Sequence, residues 1–373
     1  MKGSLVIKGG RLLDLSSDYN LVKKDIYIKD GIIYSIEKDI NFPDVETINL
    51  NGEIVSPGFI DMHTHSFTNI ELGVKPDDVG IKKGTTTIFD AGSSGPKNFK
   101  DFLDNDIQNS ITSVFALLNI AYDGLENLRY ELSNMSNIKI DKVTEIVNKY
   151  RDYIVGIKAR ASASTVGAQG IKPIYMAKKI AVELNLPLVV HIGNDPPTIE
   201  DVLSLMEKGD VITHCFHGKR NGLLDEKGIV KKETQDAIDK GVIFDIGHGT
   251  SSFNFNVALS ALKQGFYPDI ISTDIYKDNI DGPVFDLQTT MNKLMALGVD
   301  LGAVIRAVTT IPAEVFKLKN FGRLEIGCFG DLTIFNILHQ KKVFIDSEGN
   351  KIEAQKQIKI VNVIKYGIFS NHE

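Results

Sequence analysis

Eight short apolar runs constrain what the middle of this chain can become: 58–63, 85–90, 113–118, 153–158, 186–191, 210–214, 242–246 and 269–274. Each is nearly continuous rather than alternating, the pattern of strands covered on both faces, and amphipathic stretches separate them. Eight such β/α units predict an α/β chain built on a closed (β/α)8 barrel of the TIM type. The intervening stretches read independently as helices. Pro173 suits a first helical turn and precedes Ile174, Ala177, Ile180 and Leu184 at helical spacing. Thr198, with Asp201 three residues on, predicts the N-cap of a second helix running to Gly209.

The two ends have a different texture. Asp25-Ile26-Tyr27-Ile28-Lys29 and Ile32-Ile33-Tyr34-Ser35-Ile36 alternate with period two around Asp30-Gly31, a pair that favours tight hairpins. Near the other end, 330–335 and 361–364 are rich in β-branched residues and lack helical spacing. Residues 1–55 and 319–373 are therefore expected to form one small β-sandwich domain beside a barrel spanning 56–318. At 373 residues the chain can bury a core without disulfides or a structural metal.

Charge and cysteine content exclude several classes. Lys and Arg number 42 against 48 Asp and Glu, a net charge of −6, with no basic block to neutralise a phosphate backbone. Nucleic acid is not an expected partner, and a small molecule is. Cys215 and Cys328 are the only cysteines, which suits a reducing compartment. The apolar run near the N-terminus is too short for a signal peptide or a membrane helix, so the expectation is a cytoplasmic protein without membrane contact. A homo-oligomer is compatible with this composition.

In a (β/α)8 barrel the chemistry sits at the C-terminal ends of the strands. The first run closes with His63-Thr64-His65, and residues two apart share a strand face, so two imidazoles there can grip one metal ion. The fourth run ends at Lys158, the fifth at His191, the sixth at His214 and the eighth at Asp274. Taken singly, a histidine after an apolar run is a hydrogen-bonded core or rim residue, and a terminal aspartate is a helix cap. Four histidines, a lysine and an aspartate at one barrel mouth instead describe a metal centre. Lys158 decides its type. A protonated lysine beside a dication is strongly disfavoured, so the amine must be deprotonated or modified. Reaction with CO2 gives a carbamate, N6-carboxylysine, whose two oxygens can bridge two metals.

These residues resemble the amidohydrolase superfamily, in its binuclear-zinc branch. Pro57-Gly58-Phe59-Ile60-Asp61-Met62-His63-Thr64-His65 is similar to that superfamily's first-strand motif, and the order His-x-His, Lys, His, His, Asp matches its full ligand set. The resemblance implies that His63 and His65 bind the more buried zinc, His191 and His214 the more exposed one, and carbamylated Lys158 both. It also implies that Asp274 touches the buried zinc and a bridging hydroxide. Gly156-Ile157-Lys158-Ala159-Arg160, Thr213-His214-Cys215-Phe216-His217-Gly218-Lys219, Phe244-Asp245-Ile246-Gly247-His248-Gly249-Thr250 and Ser272-Thr273-Asp274-Ile275-Tyr276 resemble a deacetylase subgroup often labelled dihydroorotase-like. Its likeness to enzymes of acylated α-hydroxy or α-amino acids implies a deacetylase of N-acyl amino acids or O-acyl hydroxy acids. Two Zn²⁺ bring four positive charges, of which carbamate, Asp274 and hydroxide remove about three, leaving roughly one to stabilise an oxyanion. In that scheme the hydroxide is the nucleophile, and Asp274 is the catalytic base and then the acid toward the leaving group.

Ring-opening hydrolases of the dihydroorotase and hydantoinase type share the whole ligand set and form the second reading. Mononuclear deaminases place a glutamate three residues after the fifth-strand histidine, where this chain has Asn194. Sugar-phosphate deacetylases commonly lack the first His-x-His, and a scaffold relative without metals would not need Asp274. Arg160 is either a fork for a substrate carboxylate or a surface ion-pair partner. His217 and His248 either touch substrate or orient a ligand, and Tyr276 either lines the leaving-group pocket or packs. Asp90 and Asp245 read as caps, Cys215 as a small buried hydrophobe, and Gly92-Ser93-Ser94-Gly95 as only superficially a phosphate cradle.

Overall fold

The computed structural model describes residues 2–127 and 129–371. Seven parallel strands lie side by side in chain order: Phe59–Thr64, Thr85–Asp90, Ser113–Asn119, Ile154–Ala161, Leu188–Ile192, Val211–Thr213 and Ile243–Asp245. The eighth run, expected as a strand over 269–274, is not a regular ladder. It still closes the ring. Ile246 N donates to Ile270 O at 3.1 Å on one side, and Asp274 N donates to His63 O at 2.7 Å on the other. The irregularity has a local cause: buried Asp61 accepts from Thr273 N at 3.1 Å and Thr273 Oγ1 at 2.6 Å, and Asp274 adopts a φ of 50°. Ladder bonds are thereby exchanged for side-chain bonds across the seam.

Two other expectations shift. The fourth strand runs past Lys158 to Ala161, which leaves Lys158 deeper than the rim. The helix expected to reach Gly209 spans Ile199–Leu205, with Thr198 Oγ1 capping Asp201 N at 3.1 Å. It stops early because the Asp210 carboxylate accepts from Glu207 N at 2.8 Å and Leu188 N at 3.0 Å, drawing the chain toward the next strand. The helix Lys172–Glu183 buries Ile174, Ala177 and Ile180 as their spacing predicts.

Strands from both chain ends share one six-stranded sheet, in the order Ile368–Asn371, Gln357–Lys365, Leu332–Leu338, Ile54–Pro57, Arg11–Asp14, Tyr19–Lys23. A four-stranded sheet, Ile32–Glu37, Asp25–Lys29, Leu5–Lys8, Thr47–Asn49, lies with it across an apolar layer that includes Leu5, Ile26, Ile28 and Ile334. Asp30 and Gly31 both have positive φ, the turn geometry that the hairpin needs. A separate hairpin, Lys342–Ile345 with Lys351–Ala354, turns back to the barrel. At its tip Asp346 accepts from Phe255 N at 2.8 Å and the Ser347 hydroxyl donates to Gly249 O at 2.9 Å, which fixes the loop after the seventh strand. Among the described residues no helix is long and apolar enough to cross a membrane.

One buried ion pair joins the terminal sheet to the barrel. Lys365 Nζ donates to Asp331 Oδ2 at 2.6 Å and to Ser113 Oγ, on the third barrel strand, at 2.7 Å. Removing one member of a buried pair leaves an uncompensated charge. Asp331→Ala is therefore expected to lower stability by about 3–5 kcal/mol in equilibrium urea unfolding. A loss below about 0.5 kcal/mol, the range of an ordinary surface substitution, would contradict this role.

Candidate metal centre

The barrel seam builds the first half of the site. His63 and His65 leave the first strand on one face, and the bond from Asp274 N to His63 O places the Asp274 carboxylate beside them. His63 Nε2 lies 3.3 Å and His65 Nε2 3.1 Å from Asp274 Oδ1. Lys158 approaches from the opposite side, with Nζ 3.2 Å from His63 Nε2. The second half lies next to it, where His214 Nε2 and His191 Nδ1 converge to 2.8 Å. His214 and Asp274 both hold positive φ, 71° and 50°, a conformation that costs energy outside glycine and is concentrated at functional sites.

Residues behind the ligands set their orientation. The Thr213 hydroxyl donates to Asp245 Oδ2 at 2.6 Å, so toward His63 Nδ1, 3.0 Å away, it acts as acceptor. The His63 proton then sits on Nδ1, and Nε2 presents a lone pair to the cluster. His214 Nδ1 donates to Gly247 O at 2.6 Å, which likewise frees its Nε2. His65 Nδ1 meets the Ser93 hydroxyl at 2.9 Å, and the Ser93 amide donates to Asp90 Oδ1 at 2.8 Å. Two glycines make room. A Cβ on Gly92 would stand 2.7 Å from Lys158 Cγ, and one on Gly249 would stand 2.5 Å from Asp274 Oδ2, with φ positive at both.

The donor set fits divalent metal. The His63 lone pair faces the Asp274 carboxylate at 3.3 Å, with Lys158 Nζ 3.2 Å from the same nitrogen, and this concentration of acceptors suits a cation. His63, His65 and Asp274 bring their ligand atoms within 4.8 Å of one another, and nitrogen with carboxylate oxygen suits zinc and its neighbours. Lys158 is fully buried and pairs with no carboxylate within 4.0 Å among the described residues, which leaves the position suited to a modified amine.

Burial dominates the electrostatics. It holds His63 and His214 well below the usual histidine range, with the Lys158 charge adding to the effect in both. His191 is lowered in the same direction by surrounding protein and by His214, although its outer edge reaches the cavity. Burial lowers Lys158 to about 8 against the pull of Asp274 and Asp245. For Asp274 burial acts upward, but His63, His65 and Lys158 outweigh it and hold the carboxyl below its ordinary value.

A cavity of about 180 Å³ opens over these groups, and Arg160, Lys219, Thr250 and Tyr276 stand on its wall. Arg160 is gripped by Glu131 through two bonds, Nε to Oε1 at 2.6 Å and Nη2 to Oε2 at 2.8 Å. Tyr276 packs edge-on against His65, and its hydroxyl bonds Thr250. The wall includes neither His217 nor His248. Fully buried His248 has Nε2 against Lys293 Nζ at 2.7 Å and Nδ1 donating to Gly249 O at 2.9 Å, so it steadies the loop after the seventh strand. His217 Nδ1 accepts from Lys219 N at 3.1 Å. Cys215 is buried among hydrophobic side chains. Asp245 caps no helix, serving instead as acceptor for the Thr213 and Ser272 hydroxyls. Sequence reasoning assigned no role to Ser93, Thr213, Glu131 or Lys219, although Ser93 lies in a Gly-Ser-Ser-Gly loop at a strand end and Thr213 and Lys219 fall inside the motif around His214.

Thr213 yields a direct test. Thr213→Val keeps the shape but removes the acceptor for His63 Nδ1–H, and zinc affinity is expected to fall by about 10–100-fold in chelator competition. Unchanged affinity would show that Thr213 does not orient His63.

Comparison with known proteins gives a consistent family and mixed activities. The model of the Amidohydrolase family matches residues 54–367. A protein named deacetylase from Enterococcus faecalis is 43% identical over 377 residues, covering 100% of this chain and 100% of its own. A crystal structure described as an adenine deaminase superposes with a TM-score of 0.94 at 42% identity, covering 99% of this chain and 100% of that one. Another, described as a dihydroorotase, gives 0.92 at 30% identity, covering 99% and 98%. The match of family, fold and sequence over nearly the full length establishes that this chain belongs to the Amidohydrolase family.

Proposed function

We propose that the chain is a zinc-dependent deacylase that hydrolyses the amide or ester bond of a small acylated carboxylic acid. Family membership makes it a hydrolase of carbon–nitrogen bonds. The observation that carries the finer reading is one small cavity lined by His63, His65, Lys158, His191 and Asp274, with buried His214 2.8 Å behind His191 and two cationic side chains, Arg160 and Lys219, on the wall. The deacetylase name of the Enterococcus faecalis relative supports the same reading.

In this scheme His63, His65, Lys158, His191, His214 and Asp274 would hold two zinc ions, with Lys158 carboxylated by CO2. When bound, the metals would polarise the scissile carbonyl and promote ionisation of water at neutral pH. Asp274 takes the proton of the attacking water through its carboxylate and delivers it to the leaving nitrogen or oxygen as the acyl bond breaks. Tyr276 and Thr250 offer hydroxyls to the bound substrate, and the Glu131 grip fixes the Arg160 guanidinium in the cavity wall. A cavity of about 180 Å³ suits a small substrate. No nucleic acid or membrane partner is needed, and a reducing cytoplasm suits the two buried free thiols.

The alternative is ring opening of a cyclic amide, which the neighbour described as a dihydroorotase supports. Three residues after His191, where mononuclear deaminases place a glutamate, this chain has Asn194, which offers no carboxyl proton.

A panel of N-acyl-L- and N-acyl-D-amino acids, O-acyl hydroxy acids and cyclic imides decides between the readings. Turnover of acylated acids with release of the acyl group is expected. Turnover confined to cyclic imides would replace this reading with the ring-opening one. Asp274→Asn should keep much of the metal and lose at least about a hundredfold in kcat. Near-normal kcat in the metal-loaded variant would remove Asp274 from proton transfer.

A further inference from the structure

Two cations face the cavity, and their surroundings differ. The Arg160 guanidinium is already matched by buried Glu131 through two bonds, so its charge is compensated before any ligand arrives. The Lys219 ammonium is half-buried on the same wall and makes no hydrogen bond or ion pair with any described residue. Its backbone is fixed all the same, since Lys219 N donates to His217 Nδ1 at 3.1 Å. The Asp274 and Glu348 carboxylates attract this ammonium but neither pairs with it, so an incoming anion can supply the missing hydrogen bond, and a charge-assisted bond there is stronger than a neutral one.

We infer that Lys219 is the specificity-determining anchor for the substrate carboxylate, with Arg160 shaping the wall as half of a closed ion pair. The inference rests on the acylated-acid reading for its substrate class, but the anchor itself is a binding property that can be measured without turnover. It makes one carboxylate per substrate the recognised charge. It also assigns the discrimination between an acid and its neutral amide to a residue in the loop after the sixth strand.

The test uses the zinc-loaded protein and its Lys219→Met and Lys219→Arg variants, with matched melting temperatures and zinc contents as the check on folding. The substrates are N-acetylalanine and N-acetylalaninamide in both enantiomers, and lactate is the probe for calorimetry. Wild type is expected to prefer the acid. Lys219→Met should lower the acid-to-amide ratio of kcat/KM by about tenfold or more, chiefly through KM, and weaken lactate by a similar factor. Lys219→Arg should keep both within about threefold of wild type, since its charge is retained. A Lys219→Met variant with the wild-type ratio and wild-type lactate affinity would overturn the assignment. If wild type turns over no acylated acid, the reaction reading fails and the lactate isotherms alone decide the anchor: loss in Lys219→Met upholds it, equal binding ends it.

Discussion

The seam between the first barrel strand and the segment 269–275 is the constraint on which the rest of the site depends. Asp61 ties it from below by accepting the Thr273 amide and hydroxyl, and the bond from Asp274 N to His63 O ties it above. Burial raises Asp61 to about 7, since desolvation outweighs the hydrogen bonds that favour its charged form. Closing the ring this way brings a carboxylate against two imidazoles. Without the seam, His63, His65 and Asp274 would belong to opposite edges of an open sheet.

Much of this was legible in the sequence because it is periodic or local. Continuous apolar runs read as buried parallel strands, and the spacing of His63 and His65 places both on one face whatever surrounds them. The polar residue ending a run is likewise local, which brought Lys158, His191, His214 and Asp274 into view together. What stayed hidden depends on partners distant in sequence. The Thr213 hydroxyl matters because Asp245 consumes its proton, and Glu131 matters because the fourth strand carries Arg160 to it. The irregular eighth segment and the early end of the helix at Leu205 were hidden for the same reason. In each case a carboxylate, Asp61 or Asp210, captures backbone amides that periodicity assigns to regular structure.

The terminal segments reach into the chemistry as well. The hairpin tip at Asp346 and Ser347 holds the loop that presents Thr250 to the cavity, and the Lys293–His248 pair supports that loop from behind. Burial lowers Lys293 to about 7, and burial together with the Lys293 charge lowers His248 to about 3, so the histidine stays neutral in its backbone-holding role across physiological pH. The loop is thus positioned by elements remote from the metal ligands, and substitutions in the C-terminal hairpin reach the site through packing.

In the proposed function Lys158 enters the site as a carbamate that would hold two metals. Its most direct measurement is the ¹³C NMR spectrum of apoprotein reconstituted with zinc in ¹³C-bicarbonate, taken together with elemental analysis. A carbamate resonance and about two zinc per chain are expected in the wild type, with both lost in Lys158→Ala. Two tightly bound zinc ions and full turnover without that resonance, or in Lys158→Ala, would contradict the account.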